Sequence, residues 1–357
     1  MNNKSRKQVG TWLLTGVFMI VIQILLGGIT RLTGSGLSIT EWNLILGSVP
    51  PMNHDHWQQA FEQYKLFPQY KLMNYEMSLD GFKNIYWWEF IHRLWARLFI
   101  PVFFIPLVFF LVSRKISKTL LAKLAIAFLL GGLQGLMGWI MVKSGLIDRP
   151  WVNAIDLSVH LILALILLCY LTWLALEVLR PLPEKENVSG LKFFIVLLSV
   201  LLFIQIFYGG LMAGNHAALF YPTFPKIGSQ WIPENLFSNS PPGSNFFQNI
   251  AMIQLLHRSL GLLIASLILI FYFITRKKVV TAFFSRILIL LPVLVIAQVL
   301  LGIFTLLNSL GKIPIALAAA HQMCAVLLLL AITILLYQIF ASGKIYSATV
   351  YGGKPMR

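Results

Sequence analysis

Charged residues are scarce in this sequence, and acidic ones are the scarcest. Only 11% of its 357 residues are charged, with 12 Asp and Glu against 28 Lys and Arg, whereas 58% are hydrophobic. A soluble domain is about a quarter charged and roughly half apolar. The shortage of charge therefore excludes an ordinary soluble domain and predicts a polytopic membrane protein.

Cysteine is nearly absent as well. The two cysteines, Cys169 and Cys324, both fall inside long apolar runs, and no pair lies in an outer loop. This placement argues against a structural disulfide and against a cysteine-based metal site. We expect both side chains to serve as small apolar packing residues.

Long apolar runs, by contrast, recur eight times. Each has about the 20 residues that a helix needs to cross the hydrocarbon core of a bilayer. The sequence therefore predicts an all-α fold with eight transmembrane helices. The predicted spans are Thr11–Thr30, Glu89–Val112, Leu121–Val142, Leu157–Leu179, Leu191–Ala213, Met252–Thr275, Arg286–Leu307 and Ile315–Phe340.

The basic residues are distributed unevenly between the two sides of the membrane. The side that holds both termini and the even-numbered loops carries 17 of the 28 basic residues but only 3 of the 12 acidic ones. Such a basic excess marks the cytoplasmic side, so we predict that both termini are cytoplasmic. The net charge of +16 is then an orientation signal, with some attraction to anionic lipid, and not a nucleic-acid site.

The second half of the chain repeats the first. Every odd-numbered predicted helix carries Gln-x-x-x-Gly, and every even-numbered one carries a histidine near its outer end. The repeat predicts two tandem, pseudo-symmetric four-helix bundles, residues 1–182 and 183–357. Glycine four residues after glutamine leaves a flat spot on the same helix face, which a porphyrin or a neighbouring helix could approach. The four motifs begin at Gln23, Gln134, Gln205 and Gln298.

The outer-end histidines are His92 and His160 in the first half, and His257 and His321 in the second. Imidazole is costly in hydrocarbon and usually functional there. One such histidine is more often an interfacial or hydrogen-bonded residue than a ligand, but four at one depth predict two sites with two nitrogen ligands each. Haem iron takes such a pair, whereas zinc prefers three or four ligands at shorter spacings. Pairing between the halves also stays open.

One position breaks the symmetry of the repeat. Glu89 precedes His92 by three residues on the same helix face, and Gln254 takes its place before His257. A carboxylate can accept a proton or stabilise a developing positive charge, and an amide is less able to do either. The asymmetry favours a reactive first half and an electron-handling second half. The alternative is an interfacial Glu89 paired with Arg93 or Arg97.

Four arginines lie near the outer helix ends in the sequence. Their guanidinium groups match carboxylates, so they are candidates for contacts to haem propionates, with interfacial anchoring as the alternative. The candidates are Arg31, Arg93, Arg97 and Arg258.

Two long outer loops, residues 31–88 and 214–251, are too apolar for disorder and are expected to be ordered caps. Their histidines, His54, His56 and His216, follow no partner pattern, and we expect them to be solvated, with metal binding as the alternative.

Several stretches together resemble the haem A synthase family, in the branch shared by mitochondria and many Gram-negative bacteria. The resemblance covers nearly the whole chain. Some relatives carry a cysteine pair in the first outer loop; residues 31–88 have no cysteine, so a thiol route for electrons is absent here. The matching stretches are Gly27–Ser38, Glu89–Arg93, Gln134–Leu146, Phe224–Gly228, Trp231–Glu234, Gln254–Arg258 and His321–Gln322.

The resemblance implies an enzyme that oxidises one methyl group of haem O to a formyl group by two successive hydroxylations, giving haem A for terminal oxidases. It implies that His257 and His321 ligate a resident haem b, that His92 and His160 flank the substrate haem, and that Glu89 is the essential glutamate.

The resemblance also implies a location in the bacterial inner membrane, with the haem sites toward the periplasm. The implied partners are haem O, the haem O synthase that supplies it, membrane lipid and an electron acceptor that the sequence does not identify. A homo-oligomer is left open.

Two other functions explain part of the pattern. A dihaem membrane cytochrome that only transfers electrons accounts for four histidines equally well, but not for the exchange of Glu89 for Gln254. A haem transporter or chaperone would require a more polar passage and a hinge.

Overall fold

The computed structural model describes residues 1–40, 49–147, 149–180, 189–278 and 281–351. Eight of its helices are long and apolar enough to cross a membrane, which confirms the predicted all-α fold and its eight spans; α2, α3 and α8 are too short to do so. In chain order the helices are α1 (Asn3–Leu32), α2 (His54–Lys65), α3 (Pro68–Met73), α4 (Leu79–Val112), α5 (Lys118–Ile147), α6 (Ala154–Leu179), α7 (Lys192–Gly214), α8 (Asn245–Gln248), α9 (Ile250–Thr275), α10 (Ala282–Leu307) and α11 (Ile315–Tyr351).

Several helices begin well before the apolar runs that predict them. Helix α4 starts at Leu79, ten residues before the predicted span, because the Ser78 side chain accepts a hydrogen bond from the Gly81 amide and caps the helix. The Asn2 side chain caps α1 in the same way at Ser5. Capping chemistry, not hydropathy, therefore sets these starts.

The outward helix faces are apolar, as expected for contact with lipid. Phe18, Ile100, Phe104 and Val293 are each more than half exposed. Inside, a single cluster of buried apolar side chains includes residues of both halves of the chain. The hydrocarbon of the bilayer covers the exposed faces, because water would make so much apolar surface unfavourable.

The helices pack in a pattern that is similar, but not identical, in the two halves. Helix α1 packs against α4 and α6, and α5 against α6; in the second half, α7 packs against α9 and α11, and α10 against α11. Contacts of α6 with α7 and of α11 with α1 and α6 join the halves. The halves differ in one pair of helices: α9 packs along α10, whereas α4 makes few contacts with α5.

Both long outer loops are ordered where the structure describes them, which confirms that expectation outside residues 41–48. In the first loop, α2 and α3 pack on the start of α4 through an aromatic cluster that includes Phe61, Tyr64 and Phe82. In the second loop, Asn245 and Asn249 donate hydrogen bonds to several loop carbonyl groups.

The ends of α1, α6 and α11 that lie away from the histidines meet at one face. The Arg6 side chain donates to the Val178 and Leu179 carbonyl oxygens at 3.1 and 3.5 Å. The Tyr337 hydroxyl donates to the Arg180 carbonyl oxygen at 2.7 Å. The start of α1 and the later part of α11 therefore lie on the same side. The predicted boundary after residue 182 falls outside the described residues.

Candidate functional site

Each of the four outer-end histidines lies against the glycine of a Gln-x-x-x-Gly motif on the preceding spanning helix. A Cβ atom added at Gly27 would lie 3.1 Å from Nε2 of His92, and one at Gly302 would lie 2.8 Å from Cε1 of His321. In α1 and α7 the residue after the motif is also glycine, and it packs against a different helix. Gly28 contacts Gln322 of α11, and Gly210 contacts Ser158 of α6. The flat spot on each helix therefore receives an imidazole ring. The equivalent distances are 3.0 Å from Gly138 to His160 and 3.4 Å from Gly209 to His257.

The motif glutamines hold the same histidines by hydrogen bonds. Gln23 donates from its side-chain amide to the His92 carbonyl oxygen at 3.2 Å, and Gln205 donates likewise to His257 at 2.9 Å. Gln134 and Gln298 instead place their amide nitrogens 3.2 and 3.3 Å from Nε2 of His160 and His321. The repeated motif thus positions each histidine through both the glycine and the glutamine.

We predict that Gly302→Ala lowers stability more than Gly209→Ala. Both changes gain about 1 kcal/mol of helix propensity. The new methyl group at position 302 would lie 2.8 Å from the His321 ring, whereas that at 209 would make an ordinary contact of 3.4 Å with His257. Overpacking of this kind costs about 1–3 kcal/mol. Thermal unfolding of the two purified variants should give a lower Tm for Gly302→Ala; equal values would contradict the close packing of His321.

The rings of His257 and His321 lie at a separation that suits one metal ion between them. Their ring centroids are 6.4 Å apart and the ring planes are inclined by 74°. A metal–imidazole bond of about 2 Å, added to about 1.1 Å from the nitrogen to the ring centre, places two axial imidazoles about 6 Å apart. The separation of the two rings therefore suits a haem iron held by both imidazoles.

His92 and His160 form the corresponding pair of the first half, and they are close enough to interact electrostatically. Nδ1 of His160 is buried and has no hydrogen-bond partner among the described residues. Each of the four imidazoles is set deep among protein atoms, yet each keeps some accessible surface. The structure thus brings together the histidines within each half, as two pairs.

Glu89 lies beside this first pair and is 2% exposed. Its carboxylate accepts hydrogen bonds from the Ser38 hydroxyl at 2.7 Å and the Ile39 amide at 2.8 Å. It also forms an ion pair of 2.5 Å with Arg93. Pairing of Glu89 with Arg93, expected as the alternative to a catalytic role, is therefore present, and the catalytic role stays a prediction. Sequence reasoning missed Ser38 and Ile39, although Ser38 ends one of the stretches that carry the family resemblance.

Gln254 contacts the equivalent arginine in the second half without a charge. Its side-chain oxygen accepts a hydrogen bond from Arg258, and its amide donates to the Ala217 carbonyl oxygen at 2.6 Å. The two positions therefore share a geometry in which residue i+4 is arginine. They differ in that only Glu89 brings a negative charge to its site.

Two of the four arginine candidates each bind several carbonyl groups of the protein. Arg31 donates to the Ala213 and Gly214 carbonyl oxygens at 2.5 and 3.2 Å, and so links α1 to the end of α7. Arg258 donates to three carbonyl oxygens of the second outer loop, those of Tyr221, Thr223 and Lys226.

The other two candidates lie on α4. Arg93 donates to the Ile39 carbonyl oxygen at 2.8 Å, in addition to its ion pair with Glu89. Arg97 lies one turn further along the helix and interacts electrostatically with Arg93 and Tyr86. Contacts of the four arginines with propionates stay predictions.

His216 is not solvated, contrary to expectation. Its ring nitrogens lie 3.0 and 3.2 Å from the Arg31 guanidinium, and its ring packs edge-on against Trp151. Burial, followed by the charge of Arg31, lowers the pKa of His216 to about 4, so the ring is neutral near pH 7. Its partner comes from the other half of the chain, which no local sequence signal reveals. His54 and His56 are exposed on α2, as expected.

Comparison with known proteins assigns the chain to a family. The model of the cytochrome oxidase assembly protein family matches residues 10–333. A protein of Nitrosospira multiformis named Heme A synthase is 41% identical over 326 residues, which cover 90% of this chain and 91% of that protein. Proteins of the same name from Granulibacter bethesdensis and Flavobacterium johnsoniae are 41% and 37% identical, over 96% and 94% of this chain and 90% and 99% of their own lengths. The chain therefore belongs to the haem A synthase family of cytochrome oxidase assembly proteins.

Proposed function

We propose that this protein is an oxidoreductase that converts haem O to haem A, by two successive hydroxylations of one porphyrin methyl group and loss of water. The observation that carries the proposal is the pair of similar histidine sites, of which only one has a buried carboxylate beside it. Membership of the haem A synthase family supports the same function.

We assign the two halves different roles. His257 and His321 would hold a resident haem b, because the separation of their rings suits one metal ion between them. When bound, this group would supply one-electron redox chemistry. His92 and His160 would flank the substrate haem in residues 1–182, and residues 183–357 would form the electron-handling half.

Glu89 would take up protons that leave the substrate methyl group, or stabilise the positive charge that develops there. Its hydrogen bonds from Ser38 and Ile39 fix the carboxylate against the first outer loop, and Arg93 holds its second oxygen. A carboxylate fixed in this way needs little reorganisation when charge develops nearby. The ordered first loop would limit the access of bulk water to the same site.

The basic inner loops favour cytoplasmic termini, with both haem sites in the periplasmic half of the inner membrane. The proposed partners are haem O, the haem O synthase that delivers it, membrane lipid and a separate electron acceptor.

Extraction of pigments tests the proposal. Cells that contain a haem O source are expected to accumulate haem A only when they also express this chain with Glu89 intact. A dihaem cytochrome that only transfers electrons would give the spectrum of a histidine-ligated haem without any haem A. That outcome would show that the protein transfers electrons and does not convert haem O to haem A.

A further inference from the structure

A small cavity lies between α4 and α5, at the outer end of the first histidine site. It has a volume of about 100 Å³. Its position matches the difference between the halves, because α4 hardly touches α5 whereas α9 packs along α10. The cavity is too small for a macrocycle but has room for one substituent of it. Its lining residues are Ile39, Thr40, Arg93, Trp139, Val142, Lys143 and Leu146.

The charge of this cavity comes from α5. Arg93 is paired with Glu89, so its charge is largely balanced. Lys143 takes part in none of the ion pairs among the described residues. Its ammonium group lies 5.1 Å from the centre of the Trp139 ring, which is within cation–π distance and holds the side chain at the cavity.

The second half has no counterpart of Lys143. When the Gln134 and Gln298 motifs are aligned, Leu307 takes the position of Lys143, and Ile303 takes that of Trp139. In that half Arg258 has the neutral Gln254 as its neighbour and keeps its charge. Each half thus has one net positive charge among these residues: on α9 in the second half, and on α5 in the first.

We propose that this cavity is a carboxylate subsite, and that Lys143, with Arg93, binds one propionate of the substrate haem there. The inference rests on the proposed function, since it takes haem O as the ligand. Lys143 replaces the charge that Glu89 cancels, so the first half can have a catalytic carboxylate and still hold an anionic substrate. Lys143 is a binding and positioning residue, because it contacts the propionate and not the reacting methyl group.

Binding titrations test this assignment without relying on turnover. Haem O, or its dimethyl ester with both propionates blocked, is added to the purified protein with its resident haem, and quenching of tryptophan fluorescence is followed. Lys143→Met is expected to weaken the binding of haem O about tenfold, the scale of one charge-assisted hydrogen bond, and to leave ester binding unchanged. Lys143→Arg should restore most of the affinity.

Lys312→Met is the matched control, because it removes an exposed charge beyond the outer end of α10 in the other half. It should bind haem O as the wild type does. Equal weakening of haem O and ester by Lys143→Met, or equal effects of the two methionine variants, would overturn the subsite. Equal weakening of haem O and ester binding is what we expect if Lys143 binds a lipid phosphate, because that role does not depend on free propionates. If the protein made no haem A, the proposed function would be wrong, but the titrations would still show whether Lys143 binds a propionate.

Discussion

Replacement of Glu89 by glutamine is expected to stop formation of haem A while the resident haem stays bound. The carboxylate accepts from Ser38, Ile39 and Arg93, so both of its oxygens serve as acceptors. A glutamine has one oxygen, and its NH2 group would face a donor on one side. The variant also leaves Arg93 without its counter-charge. Loss of a positioned acid–base group costs about 10²–10⁴-fold in rate, so haem A should fall below detection in pigment extracts.

Two further variants separate a chemical role of Glu89 from a structural one. Ser38→Ala removes one hydrogen bond to the carboxylate but keeps its charge, and most of the activity should survive. Gln254→Glu places a carboxylate beside the second histidine pair and should retain activity, because the reactive half is unchanged. If Ser38→Ala were as inactive as Glu89→Gln, anchoring of the first outer loop would be the main role of Glu89. Full activity of Glu89→Gln would remove Glu89 from the mechanism.

The sequence predicts the eight spans and the histidine pairs for different physical reasons. Spans follow from the length and apolar content that a bilayer imposes, which are local properties. The histidines could be grouped because the repeat places them at one depth, and the glycine and glutamine motif lies on one face of each helix. The spacing of the motif does not reveal which helix packs against that face. The imidazole that rests on Gly302 comes from α11, and this could not be known before the helices were packed.

The contacts that sequence reasoning missed are long-range ones. Arg31 reaches the end of α7 and His216, more than 180 residues away, so its guanidinium joins the halves. Glu89 is held by Ser38 and Ile39, which come from the preceding loop. No local pattern encodes such pairings, because they depend on how the outer loops fold over the helix ends. Helix starts were misplaced for a simpler reason: capping side chains such as Ser78 extend a helix beyond its apolar run.

Removal of either imidazole of the second pair is expected to abolish the low-spin signal of the resident haem. The rings of His257 and His321 are 6.4 Å apart, so each can supply one of the two axial bonds to a single iron. Without one of the two imidazoles, the site would hold the haem less tightly, and the protein should lose it during purification. His257→Ala and His321→Ala should therefore yield protein with little or no absorption of histidine-ligated haem.

The first pair provides the matched comparison. His92→Ala should leave the resident haem and its spectrum intact and abolish formation of haem A, because we propose that His92 flanks the substrate in the other half. His56→Ala, on the exposed surface of α2, should change neither property. Each purified variant is compared by its absorption spectrum and its extracted pigments. Loss of the low-spin signal in His92→Ala, with its retention in His257→Ala, would exchange the roles of the two halves. Partial loss in His92→Ala, His257→Ala and His321→Ala alike would mean that the ligands pair across the halves, and that each site depends on both bundles.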